Sequence, residues 1–173
     1  MNALYKSDFN IHSTQRGQVL VVNRKGAWIV LFKLSTCNAC VNAEQILATF
    51  IQQNRANHSK RVNIGIVTLD DSRNQTLARM SSQTTTTINA VPLFIGYNDG
   101  IPVARHVSST RSPLTVDVLH KISHSISQSA QPSSVEPTMS SDVNRVYSSQ
   151  GRSNIFTDQS HMTPYNVPWD KSQ

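Results

Sequence analysis

Cysteine is nearly missing from this chain: two residues among 173, Cys37 and Cys40. That scarcity excludes the framework of several disulfides on which small secreted domains depend. Charge is sparse as well, at 15% Asp, Glu, Lys and Arg, and aromatic residues make up only 6%. No apolar run approaches the roughly 18 residues that a membrane-crossing helix requires. The opening Met1-Asn-Ala-Leu-Tyr-Lys-Ser-Asp8 lacks the charged-then-apolar order of a secretory leader. A reducing, cytoplasmic location is therefore the expectation. An isolated cysteine pair there is more often catalytic or metal-binding than structural. Zinc would need further ligands, and His58, His106, His120 and His124 show no ligand spacing. No metal is expected.

The charge that is present is uneven. The formal net charge is +6, and residues 1–128 carry 13 Lys and Arg against 6 Asp and Glu. Residues 129–173 carry 3 against 4. A basic body favours acidic partners. Its basic residues are scattered, however, apart from Arg24-Lys25 and Lys60-Arg61, and no aromatic stacking pattern accompanies them. Solvated surface is the better reading, and nucleic acid is not an expected partner.

What the chain does have is one stretch that carries chemistry. Trp28 to Leu34 is an almost continuous apolar run, as in a central strand buried on both faces. Cys37-Asn38-Ala39-Cys40 follows, and Ala43, Ile46, Leu47, Phe50 and Ile51 then form a helical stripe, predicting a helix to about Gln53. The cysteines thus sit where a strand hands over to a helix. A thiol there meets unpaired N–H groups and the positive end of the helix dipole, which favour its thiolate. A second thiol one turn later can close a disulfide.

Around this stretch the chain reads as an α/β domain. Residues 1–17 form a polar N-terminal extension with apolar anchors at Leu4, Tyr5, Phe9 and Ile11, which can add a first short strand or helix. Gln18 to Asn23 predicts a short strand, and Arg24-Lys25-Gly26 a turn. Val62 to Leu69 is the next buried strand. Asp70, Asp71 and Ser72 are N-cap candidates for a helix near Asn74 to Met80. Ser81 to Thr87 is low in complexity and reads as a surface loop. Val91-Pro92-Leu93 opens a strand that ends in Tyr97-Asn98-Asp99-Gly100, a tight hairpin signal. Ile101 to Val107 is its partner, and Pro102 places that partner at a sheet edge. Ser112-Pro113 reads as a helix start, followed by an apolar stripe of Leu114, Val118, Leu119, Ile122 and Ile126.

This order resembles the thioredoxin family over roughly residues 18–127. The resemblance rests on Cys37-Asn-Ala-Cys40, Val91-Pro92, the Asn98-Asp-Gly100 turn and the amphipathic last helix. It implies a three-layer α/β fold with a mixed four- to five-stranded sheet flanked by helices, spanning residues 18–128. It implies a cis bond before Pro92, with the proline ring against the dithiol. Cys37 would be the attacking thiol and Cys40 the buried resolving thiol, with Val91 and Pro92 holding the substrate strand. The redox-active Cys37–Cys40 disulfide would then serve without any added cofactor, and protein thiols or disulfides would be the partners. Three positions depart from thioredoxins proper. Thr36 replaces the Trp before the first cysteine, Asn38-Ala39 replaces Gly-Pro, and Leu31 stands where a buried acid precedes the dithiol. Lys33 lies nearby, and strand alternation gives even odds that it faces the site.

Residues 129–173 are Ser/Pro-rich and cannot bury enough apolar area to fold alone. They read either as a disordered tail or as a docking arm for an assembly partner. In the second reading Ile155, Phe156, Tyr165, Pro168 and Trp169 fill pockets on that partner. Two functional classes follow. One is thiol–disulfide exchange through Cys37 and Cys40. The other is a structural or adaptor component of a large assembly, such as a minor capsid protein in a virion, with the domain as scaffold. Richness in Ser, Thr, Asn and Gln suits the second.

Overall fold

The structure, a computed structural model, describes residues 1–55 and 62–129, with the backbone alone for Arg55. The tail residues Ile155, Phe156, Tyr165, Pro168 and Trp169 lie outside the described residues, as do His58, Lys60 and Arg61.

Seven strands and three α-helices follow in chain order among the described residues. They are β1 (Asn2–Ala3), β2 (Phe9–Thr14), β3 (Gly17–Val22), β4 (Ala27–Lys33), α1 (Asn38–Arg55), β5 (Asn63–Thr68), α2 (Leu77–Ser81), β6 (Leu93–Asn98), β7 (Ile101–Val107) and α3 (Val116–Ser129). Five strands form a mixed sheet in the order β1-β5-β4-β6-β7. β4 lies at its centre, parallel to β5 and antiparallel to β6. Trp28, Ile29, Val30, Leu31 and Phe32 are all buried, as expected of a strand covered on both faces.

Alternation along β4 divides the core into two layers. Ile29 and Leu31 pack with Ala43, Leu47 and Phe50 of α1 and with Leu119, Ile122 and Ile126 of α3. Trp28, Val30 and Phe32 pack on the opposite face with Phe9, Leu20, Val22 and Leu77. Each such side chain, fully buried, contributes about 1.5–3 kcal/mol. The α3 layer sits close because β6 carries Gly96. A Cβ there would lie 2.8 Å from Ile122 Cγ2 and 3.2 Å from Ile126. The fold is thus the three-layer α/β arrangement that the resemblance implies, with a hairpin and a short helix filling much of the second face.

Several local expectations change. The strand read at residues 18–23 does not join the sheet; β3 pairs with β2 in a separate antiparallel hairpin. Its alternate residues Leu20 and Val22 roof the sheet instead. The sheet's outer strand is β1, paired in parallel with β5 at Gly65 and Ile66. Residues 1–17 therefore belong to the folded body, anchored by Leu4 and Phe9, which are buried.

Asp70 and Asp71 do not cap α2, which begins only at Leu77 after Thr76. Their carboxylates bond Ser35 and Arg73 instead. Ser81 to Thr87 is not a simple surface loop. Ser81, Thr84 and Thr86 are buried. Ser81 Oγ donates to Ala78 O and accepts from Ile88 N, while Thr84 Oγ1 donates to Ser81 O. Hydroxyls that bond local backbone let a polar segment pack inside. Finally, α3 starts at Val116 rather than at Ser112-Pro113. Ser108 and Ser109 fold residues 108–114 into a bonded loop, and Thr115 Oγ1 caps the helix by accepting from Val118 N.

The hairpin turn is as predicted. Asp99 and Gly100 both take positive φ, 47° and 84°, the conformation that a tight two-residue turn requires. β7 is an edge strand carrying Pro102 near its start, also as predicted.

Candidate redox site

The central strand ends at Lys33, and its pairing continues past the strand end: Leu69 N donates to Lys33 O at 2.8 Å. Leu34, Ser35 and Thr36 then carry the chain to Cys37, immediately before the first helical residue, Asn38. Cys37 therefore occupies the N-cap position of α1. Its carbonyl accepts from Val41 N at 3.3 Å, and its sulfur accepts from Cys40 N at 3.1 Å. A side-chain atom that accepts from the third helical N–H is what an N-cap provides. Here that atom is the one on which a thiolate would form, so the cap stabilises its negative charge.

Cys37 and Cys40 are joined as a disulfide with a Cα–Cα distance of 5.2 Å, within the span that a disulfide bridges without backbone movement. The two sulfurs differ in access. Cys37 is partly exposed, whereas Cys40 is 1% exposed and belongs to the core layer that includes Val91 and Leu93. Only Cys37 can meet a macromolecular thiol.

The Val91–Pro92 bond is cis, as the resemblance implied. The bond directly precedes Leu93, which pairs with Phe32 near the end of β4, and Val91 shares a core cluster with Cys40, Cys37 and Leu34. Val91 is buried at 1%, and Pro92 O accepts from Ser108 N at 3.0 Å. This bond ties the loop after β7, with exposed Arg111 near its tip, to the proline.

Leu31 is fully buried among apolar side chains, so the position of the thioredoxin acid holds no titrating group. Lys33 turns to α1 and pairs with Glu44, one turn beyond Cys40, at 2.5 Å. On the other side of the loop, Asp70 accepts from Ser35 N at 3.0 and 3.2 Å through its two oxygens, and from Ser35 Oγ as well. Burial opposes ionisation of Asp70, but the Ser35 bonds and the nearby Lys33 charge outweigh it and hold the carboxyl below its ordinary range. Glu44 and Asp70 were missed as site residues by sequence reasoning. Asp70 was read as a helix cap, and only the i, i+4 spacing of Cys40 and Glu44 hinted at the other.

Among the described residues no group of three or more His, Cys, Asp or Glu gathers as a metal site. No described helix is long and apolar enough to cross a membrane.

Comparison with known proteins gives structural likeness only. No family model and no curated protein matches the chain. Solved thioredoxins do. The thioredoxin of Fasciola hepatica is 20% identical, covering 59% of this chain and 83% of its own, at a TM-score of 0.43. Chloroplastic thioredoxin z is 20% identical, covering 61% and 81%, at 0.46. A malaria-parasite thioredoxin-2 is 22% identical, covering 58% and 84%, at 0.44. At these values the assignment stands on features of the chain itself: the strand order, the cis proline and the dithiol at the head of α1.

Proposed function

We propose, taking the thioredoxin-like fold as premise, that this chain is a thiol–disulfide exchange protein working through Cys37 and Cys40. One observation carries the reading. A partly exposed sulfur caps a helix N-terminus and is bonded to a buried sulfur one turn later. That arrangement separates an attacking thiol from a resolving thiol.

In the reduced protein, the Cys37 thiolate attacks one sulfur of a substrate disulfide. The substrate S–S bond breaks, a mixed disulfide forms at Cys37, and the leaving sulfur departs as a thiolate that takes a proton. Cys40, deprotonated in turn, attacks Cys37 Sγ and displaces the second substrate thiolate. The Cys37–Cys40 disulfide closes, and two electrons have passed to the substrate. Val91 and Pro92 would line the edge along which the substrate segment lies. Protein disulfides are the substrate class, and no cofactor beyond the dithiol enters. The buried surroundings of Leu31 offer no proton acceptor to Cys40, so resolution should be the slow step.

The test is reduction of insulin by the protein with dithiothreitol as the electron source. Wild type should accelerate precipitation of the B chain, and Cys37→Ser should fall to the rate of dithiothreitol alone. Equal rates for the two proteins would refute the reading. The adaptor alternative rests on residues 129–173, and nothing in the described residues favours it.

A further inference from the structure

Three charged groups surround the dithiol loop: Lys33 at the end of β4, Glu44 on α1 and Asp70 after β5. Lys33 pairs with Glu44 at 2.5 Å, and its charge also reaches Asp70 without bonding it. The neighbouring Asp71 and Arg73 are likewise paired, at 2.8 Å. On the Pro92 side the charged residue of the 108–112 loop is Arg111, exposed to solvent. Asp70 is the carboxylate bonded directly to the loop, and no cation bridges it among the described residues. Its anchor, Ser35, is two residues before Cys37, so their Cα atoms are at most roughly 7 Å apart.

We propose that Asp70 is a positioning residue of the redox site, clamping the Cys37 loop through Ser35 and setting its direction of electron flow by a fixed negative charge. The reasoning rests on the thiol–disulfide reading and deepens it. The helix N-terminus stabilises a Cys37 thiolate, and a stabilised thiolate makes a dithiol an oxidant, because the reduced form is favoured. A carboxylate bonded to the loop two residues before the same sulfur opposes that effect. It raises the energy of the thiolate, disfavours the reduced form and makes the pair a better donor of electrons. Three hydrogen bonds from one residue hold the charge in place, so its influence on Cys37 is constant rather than averaged over rotamers. For an exposed carboxylate anchored two residues from the cysteine, the effect on thiolate formation is about two- to tenfold.

The test reads the thiol itself. In the reduced full-length protein, the rate of Cys37 alkylation by iodoacetamide is followed against pH, with mass-spectrometric assignment of the modified cysteine. Asp70→Asn, which keeps an acceptor for Ser35 N–H but removes the charge, should lower the Cys37 pKa and raise alkylation at pH 6 about two- to tenfold. Asp70→Glu, retaining the charge, should restore most of the wild-type profile. The reduced-to-oxidised ratio against a glutathione buffer should rise in Asp70→Asn. Ser35→Ala, which loosens the clamp and keeps the charge, should move the profile part of the way, and it serves if Asp70→Asn does not fold. Unchanged profiles in the folded variants would overturn the proposal. Alkylation does not depend on any substrate disulfide, so a protein inactive on insulin would still report on Asp70.

Discussion

The Lys33 ammonium of β4 meets the Glu44 carboxylate of α1 at 2.5 Å, joining the two elements that flank the dithiol loop. Both side chains are largely covered, 18% and 30% exposed, so the pair is held more firmly than an ordinary surface contact. A double-mutant cycle with Lys33→Met and Glu44→Gln, followed by urea unfolding, should give a coupling of about 0.5–1 kcal/mol. Either single substitution should also slow insulin reduction, since the turn of α1 behind Cys40 loses its tie to the sheet. A coupling near zero would mean that the pair adds nothing to the site.

Tyr97 is fully buried in the core layer beneath β3, and its hydroxyl has no hydrogen-bond partner among the described residues. Burial pushes its pKa far upward. An unpartnered buried hydroxyl costs about 1–3 kcal/mol of desolvation, which removing it recovers in part. Tyr97→Phe is therefore expected to leave stability unchanged or raise it by about 1 kcal/mol in urea unfolding. A loss of more than 1 kcal/mol would reveal a partner for the hydroxyl.

His106 on β7 is mostly buried, its Nε2 has no partner among the described residues, and burial together with the Arg105 charge lowers its pKa below 6.5. The folded state thus binds fewer protons than the unfolded state. The stability linked to neutral His106 is present above pH 6.5 and is lost as pH falls from there towards the folded pKa. Wild type should lose more Tm between pH 7.5 and 5.5 than His106→Leu, as read by differential scanning calorimetry. Asp70 and Asp71, whose pKa values are lowered from 3.8, contribute only at more acid pH and do not enter this window. Parallel slopes for the two proteins would count against the assignment.

Much of the fold was legible in the sequence where a pattern has one physical solution. Trp28 to Phe32 admits only a doubly covered strand, the stripe from Ala43 to Phe50 only a helix, and Asp99-Gly100 only a tight turn. Polar segments depart from expectation because their oxygens take partners that the sequence pattern does not reveal. Ser81 and Thr84 are buried with their hydroxyls bonded to local backbone, and Asp70, a good helix cap by type, spends its oxygens on Ser35, 35 residues away in sequence. Residues 18–23 hold the strand that the sequence predicts, but period-2 alternation does not say which strand lies beside it, and β3 pairs with β2 outside the five-stranded sheet. At the site, Cys37, Cys40 and Pro92 were readable from type and spacing. Glu44 and Asp70 were not, since their meaning depends on which loop end the fold brings to them.

Trapping the first covalent step tests the central claim most directly. Cys40→Ser, reduced and mixed with an oxidised disulfide peptide, should accumulate a mixed disulfide that peptide mapping places at Cys37, with one peptide thiol released per adduct. Cys37→Ser should form none, because Cys40 is 1% exposed. An adduct formed equally well on Cys40 of Cys37→Ser, or no adduct in either protein, would contradict the division of labour between the two sulfurs.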